Sequence, residues 1–97
     1  MPTYIMLLNW TEQGVANVKE SPSRLDAFKQ ALGQAGGALK GFYLVTGRYD
    51  MVAVVEVPDE ETAARLALAT GSQGSTRTET LRAFDEDEYR RIIGGLP

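Results

Sequence analysis

The chain has 97 residues, 43% of them hydrophobic, and a formal net charge of −3, which fits one domain over residues 1–97 with a modest core. Acidic and basic residues are interspersed, so the basic footprint of a nucleic-acid binder is missing and no DNA or RNA contact is expected. With no cysteine and no histidine, disulfides, thiolate or imidazole chemistry and the usual zinc or haem ligands are excluded, and no cofactor or bound metal is expected.

The opening residues Met1 to Leu8 have neither the basic start of a signal peptide nor the length of a membrane span, so a cytoplasmic location without membrane contact is expected. Thr3 to Trp10 reads as a first strand, with Tyr4, Met6, Leu8 and Trp10 on one face and Ile5 and Leu7 on the other. Thr11 to Glu20 is a connection of mixed signals with room for a short helical turn. Ser21-Pro22 reads as a helix start, because a Ser hydroxyl can cap free amides and Pro lacks an N–H that would be orphaned there. The helix is expected to run to about Ala35 on a stripe of Leu25, Phe28, Leu32 and Ala35, and Gly36-Gly37 stops it.

Leu39 to Thr46 and Met51 to Val57 read as the next two strands, joined by a Gly47-Arg48-Tyr49-Asp50 corner. Pro58-Asp59 closes the third strand and caps a helix over about Glu60 to Thr70, whose alanines let it sit close to its neighbour. After Gly71-Ser72-Gln73-Gly74, Ser75 to Phe84 alternates as a fourth strand, the least apolar and so the expected edge. Asp85 caps a short last helix whose apolar positions are Tyr89, Ile92 and Ile93.

This order is β-α-β-β-α-β with a short C-terminal helix, the α+β pattern of ferredoxin-like folds, which puts both crossover helices on one face of an antiparallel sheet. The helix-free face would then be open, yet the first and third strands are apolar on both sides: Met51, Ala53, Val55 and Val57 alternate with Val52 and Val54. A sheet with one wet face should alternate apolar with polar, so a second copy of the chain is expected to cover it.

The chain resembles the GYD-domain family over nearly its whole length. The likeness is carried by Tyr4-Ile5, by Gln13 to Arg24, by Gly41-Phe42-Tyr43 with Gly47-Arg48-Tyr49-Asp50, and by Arg77 to Phe84. A more distant likeness is to dimeric α/β-barrel proteins and to the effector-binding domain of leucine-responsive transcription regulators, which carry a Gly and an Asp at the same hairpin. The resemblance implies a homodimer or higher oligomer and, by the regulators' example, a small ligand bound between subunits near that hairpin; it implies no particular reaction.

Two readings of the corner follow. In one, Arg48 grips an anion, Tyr49 stacks or hydrogen-bonds and Asp50 holds an amine. In the other, Gly47 takes a positive φ and Asp50 accepts from the hairpin's own amides. Trp10, Tyr4 and Met6 line either a cleft or the core. Arg82, if covered by a second subunit, needs a carboxylate, with Glu56 or Asp50 available. Lys19 and Arg24 beside Ser21-Pro22 are either an anion site or solvated charges. The candidate ligand-binding set is therefore Trp10, Arg48, Tyr49, Asp50 and Arg82. The leading expectation is a homo-oligomeric module that binds a small ligand or regulates; the alternatives are a cofactor-free, monooxygenase-like enzyme and a purely structural assembly unit.

Overall fold

The computed structural model describes all 97 residues. Strands β1 (Thr3–Trp10), β2 (Ala38–Leu44), β3 (Met51–Glu56) and β4 (Thr76–Ala83) form one antiparallel sheet in the order β2-β3-β1-β4. Helices α1 (Glu12–Ala16), α2 (Ser21–Gln34), α3 (Glu60–Ser72) and α4 (Glu86–Gly94) complete the chain, with a 3-10 turn over Val18–Glu20. This is the ferredoxin-like order expected, with the polar strand β4 at an edge. No helix is long and apolar enough to cross a membrane.

The core decides which side of each strand is inside. Tyr4, Met6 and Leu8 of β1 and Met51, Ala53 and Val55 of β3 are buried with Leu32 of α2 and with Ala63 and Leu66 of α3. One end of this sandwich is tightly fitted. Leu32 and Val57 are fully buried there, and a Cβ on Gly37 would stand 2.5 Å from the Glu56 carbonyl oxygen, so only glycine lets α2 turn into β2 this closely. Gly14 is used the same way in α1, where a Cβ would collide with the Ser75 carbonyl oxygen.

Local structure departs from the sequence reading in three places. Ser21 is not a cap: it is already helical, with φ −55° and ψ −43°, because the 3-10 turn runs straight into α2. The capping hydroxyl lies earlier, on Thr11, which accepts from the Gly14 amide at 3.2 Å and donates to the Gly74 carbonyl at 2.5 Å. β2 stops at Leu44, and beyond it the Val45 amide bonds the Asp50 carbonyl at 2.9 Å, closing the corner. On α2 only Leu32 is fully buried, while Leu25, Phe28 and Ala35 are half-buried, so the first half of the helix stands off the sheet. Asp85 caps α4 as expected, in a reciprocal box: its carboxylate accepts from the Glu88 amide at 2.8 Å, and the Glu88 carboxylate from the Asp85 amide at 3.0 Å.

Candidate functional site

The corner between β2 and β3 is built on Gly47, whose φ of 116° is one that side chains other than hydrogen rarely adopt. Asp50 fastens it to the sheet. Its amide donates to the Leu8 carbonyl at 2.9 Å, and its carboxylate accepts from the Trp10 amide at 3.0 Å. The carboxylate therefore bonds β1 rather than the hairpin's own amides, and it satisfies an amide at the end of β1 that has no strand partner. Tyr49 donates its hydroxyl to the Glu79 carboxylate on β4 at 3.3 Å. Arg48 is exposed and joins no ion pair or hydrogen bond.

Arg82 lies elsewhere. It pairs across the sheet with Tyr4, six residues along β1 from Trp10, a separation of roughly 20 Å at strand rise. It stacks 4.4 Å from the Phe84 ring centroid and 5.7 Å from that of Tyr4, and donates to the Thr3 carbonyl at 3.2 Å and to the Ala83 carbonyl. Its carboxylate partner is Glu88 of α4, 3.9 Å away, rather than Glu56 or Asp50. Glu56 instead faces Lys40 at 3.9 Å, and Asp50 is taken by Trp10. Arg82 also sits on the helix side of the sheet with Thr78 and Thr80, so a copy covering the other face would not bury it. Burial, above all, and then the nearby Glu60 raise the Tyr4 phenol above its usual 10.0, with Arg82 acting in the opposite direction.

Two features unite more of the molecule than these residues do. The first is the helix-free sheet face. Strand register places Ile5 and Leu7 of β1, Val52 and Val54 of β3, Tyr43 of β2 and Leu81 of β4 side by side on it. Tyr43 is 61% and Leu81 43% exposed. Polar residues flank this strip, with Asn9, Arg77 and Glu79 toward one end and Thr3 and Glu56 toward the other. An apolar centre with a polar rim is the layout of an interface.

The second is a cavity of about 140 Å³ between the sheet and helices α2 and α3. Its apolar wall includes Leu8, Phe28, Phe42, Ala53 and Leu66, and its polar residues come from the start of α2, the end of α3 and the start of β4. Arg24 is the one ionisable residue in the wall. Its Nη1 donates to the Asn17 carbonyl at 3.3 Å and lies 3.9 Å from the Glu20 carboxylate, while Nη2 is sealed from solvent without a partner. Nowhere do three acidic, histidine or cysteine side chains gather as metal ligands would.

A family model for the GYD domain matches residues 4–93. The chain belongs to the GYD domain family. A Thermus thermophilus relative named "Glutamine synthetase and cystathionine beta-lyase binding protein" is 39% identical over 85 residues, which cover 87% of this chain and 90% of that one. A solved structure from Thermus thermophilus superposes with a TM-score of 0.54 at 29% identity, over 88% of this GYD domain and 95% of that chain. The protein FFRP-DM1 matches with a TM-score of 0.56 at 20% identity, over 87% of this chain and 100% of its own, and at that identity it bears on the fold alone.

Within the GYD domain, the five residues singled out from sequence do not converge. Asp50 and Trp10 meet, Tyr49 reaches across to β4, Arg48 stands in solvent and Arg82 belongs to the far end of β1. Sequence reasoning placed Arg24 at a helix start but missed the cavity behind it. Half-buried Leu25 and Phe28 opposite small Ala53 and Ala69 create that space, and no single-chain pattern signals a gap between two elements.

Proposed function

We propose that this GYD domain, residues 1–97, is a homo-oligomeric binding module of the cytoplasm: two copies cover each other's bare sheet faces, and the assembly docks on other proteins under the influence of a small ligand. The bare face carries the argument. Four strands about 4.8 Å apart, with six paired residues rising about 3.4 Å each, make a face roughly 20 Å on a side. The apolar part of that face is roughly a few hundred Å², the size of patch that on a monomer marks a functional surface, and an identical patch on a second copy matches it by symmetry.

The docking role is supported by the name of the Thermus relative, so glutamine synthetase and cystathionine beta-lyase are the first partners to try. A binding role is favoured over a cofactor-free enzyme by the scatter of Trp10, Arg48, Tyr49, Asp50 and Arg82, since general acid–base work needs its groups within hydrogen-bond reach of one reacting atom. Native mass spectrometry of the purified chain, alone and mixed with each of the two enzymes from the same organism, tests both halves. The expected result is a multimer alone and a stoichiometric complex with at least one enzyme; a monomer that binds neither would overturn the reading.

A further inference from the structure

We propose that the cavity between the sheet and helices α2 and α3 binds a small organic monoanion, a carboxylate with a short apolar body, paired with Arg24. This deepens, and rests on, the small-ligand half of the reading above. Three observations lead to it.

The first is size and lining. A dry cavity of about 150 Å³ is large enough to take benzene, and this one is about 140 Å³ with mostly apolar walls. The part of an occupant that enters it is therefore about the size of one six-membered ring or a six-carbon chain.

The second is charge. Arg24 alone among the lining residues ionises, so nothing in the wall offers a counter-charge to an ammonium group. A carboxylate meets a guanidinium fork with two parallel hydrogen bonds, and one arm of this fork is unspent: Nη2 is buried and unpartnered. The contacts that hold the rest of the head are weak. The Asn17 bond is long at 3.3 Å, and Glu20 is 3.9 Å away on a largely exposed side chain. Arg24 therefore gives up little if its head turns to meet a carboxylate in the cavity that it lines.

The third is the way α2 is held. Leu32 anchors its end in the tight part of the core, whereas Leu25 and Phe28 near its start line the cavity and are half-buried. A ligand inserted there fills a gap that the protein's own side chains leave, so occupancy should stiffen the first half of α2. The cavity, rather than the N-terminus of α2, is the site.

Amide NMR titration of the full chain with benzoate, benzamide and benzylamine separates charge from shape. Benzoate is expected to shift amides of residues 21–31 and 66–76 saturably, with benzamide and benzylamine at least about tenfold weaker. Arg24→Gln should reduce benzoate to the benzamide level with an otherwise folded spectrum. Ala53→Leu, or Ala31→Leu should the first not fold, fills the space and should abolish both. Equal binding of the three probes, no saturable shift from benzoate by about 10 mM, or an undiminished response in Arg24→Gln overturns the proposal. Sedimentation of the same samples keeps the two readings apart: an intact oligomer without benzoate binding sinks the ligand site alone, and a monomer that binds benzoate sinks the assembly alone.

Discussion

The two faces of the sheet are made of the same kind of residue on β1 and β3 and differ in what lies over them. Under the helices, Met6, Ala53 and Val55 are each 2% exposed, whereas Ile5, Leu7, Val52 and Val54 on the other side remain partly open to water. Two helices cannot cover two faces. The apolar surface that one copy leaves bare is the ground for the proposed second copy, and contrasting the faces by mutation tests that proposal.

The largest effect is expected on the covered face. Leu32→Ala removes the side chain that pins α2 to the sheet and should cost about 3–5 kcal/mol in chemical denaturation, as cavity-forming core truncations do. A change of similar size in apolar volume on the bare face, Leu7→Ala, should cost much less in any protein kept dilute enough to be monomeric; equal losses would mean that the faces are not different in kind.

Next comes Gly14→Ala, which drives a methyl into a backbone oxygen that cannot swing aside, so α1 must shift from the β4 start at about 2–3 kcal/mol. Thermal unfolding reads this, and a melting temperature equal to the parent's would contradict the packing described there.

Asp50→Ala should cost about 1–3 kcal/mol, the penalty for leaving the Trp10 amide unsatisfied, with Asp50→Asn recovering part of it through its amide oxygen. If Asp50→Ala leaves stability unchanged, the corner is not the brace between hairpin and β1 that its geometry makes it.

Tyr4 gives the smallest and most specific signal. Its phenol is raised in the fold, so the stability it lends is complete below the ordinary phenol value of 10.0 and is lost as pH rises through the higher folded value. Tyr4→Phe should therefore blunt alkaline unfolding and remove the late-ionising component from the ultraviolet titration. Loss of an ordinary component near 10.0 instead, with a late one remaining, would place Tyr4 in water rather than under α3.

Much of this was legible in the chain. The element order, the polar edge strand and the double apolarity of β1 and β3 are local patterns, and the likeness to the GYD family runs through residues that the family model also spans. Parity was not legible: Tyr4-Met6-Leu8 and Ile5-Leu7 are both apolar, and only the packing of Leu32, Ala63 and Leu66 selects the first set. The carboxylate partner of Arg82 was not legible either. Glu88 is brought near by the turn of the chain into α4, which sequence spacing along β4 does not encode. Ser21-Pro22 has the residue types of a helix start, but the preceding 3-10 turn already supplies helical backbone, so the cap had nothing to do.

Sedimentation equilibrium of the parent chain beside Val54→Glu tests most directly the claim that a second copy covers the bare face. The parent should sediment as a dimer or larger, and Val54→Glu, which sets a charge in the middle of the bare face, should sediment as a monomer or fall out of solution. A monomeric parent, or a Val54→Glu protein with the parent's mass, would contradict it.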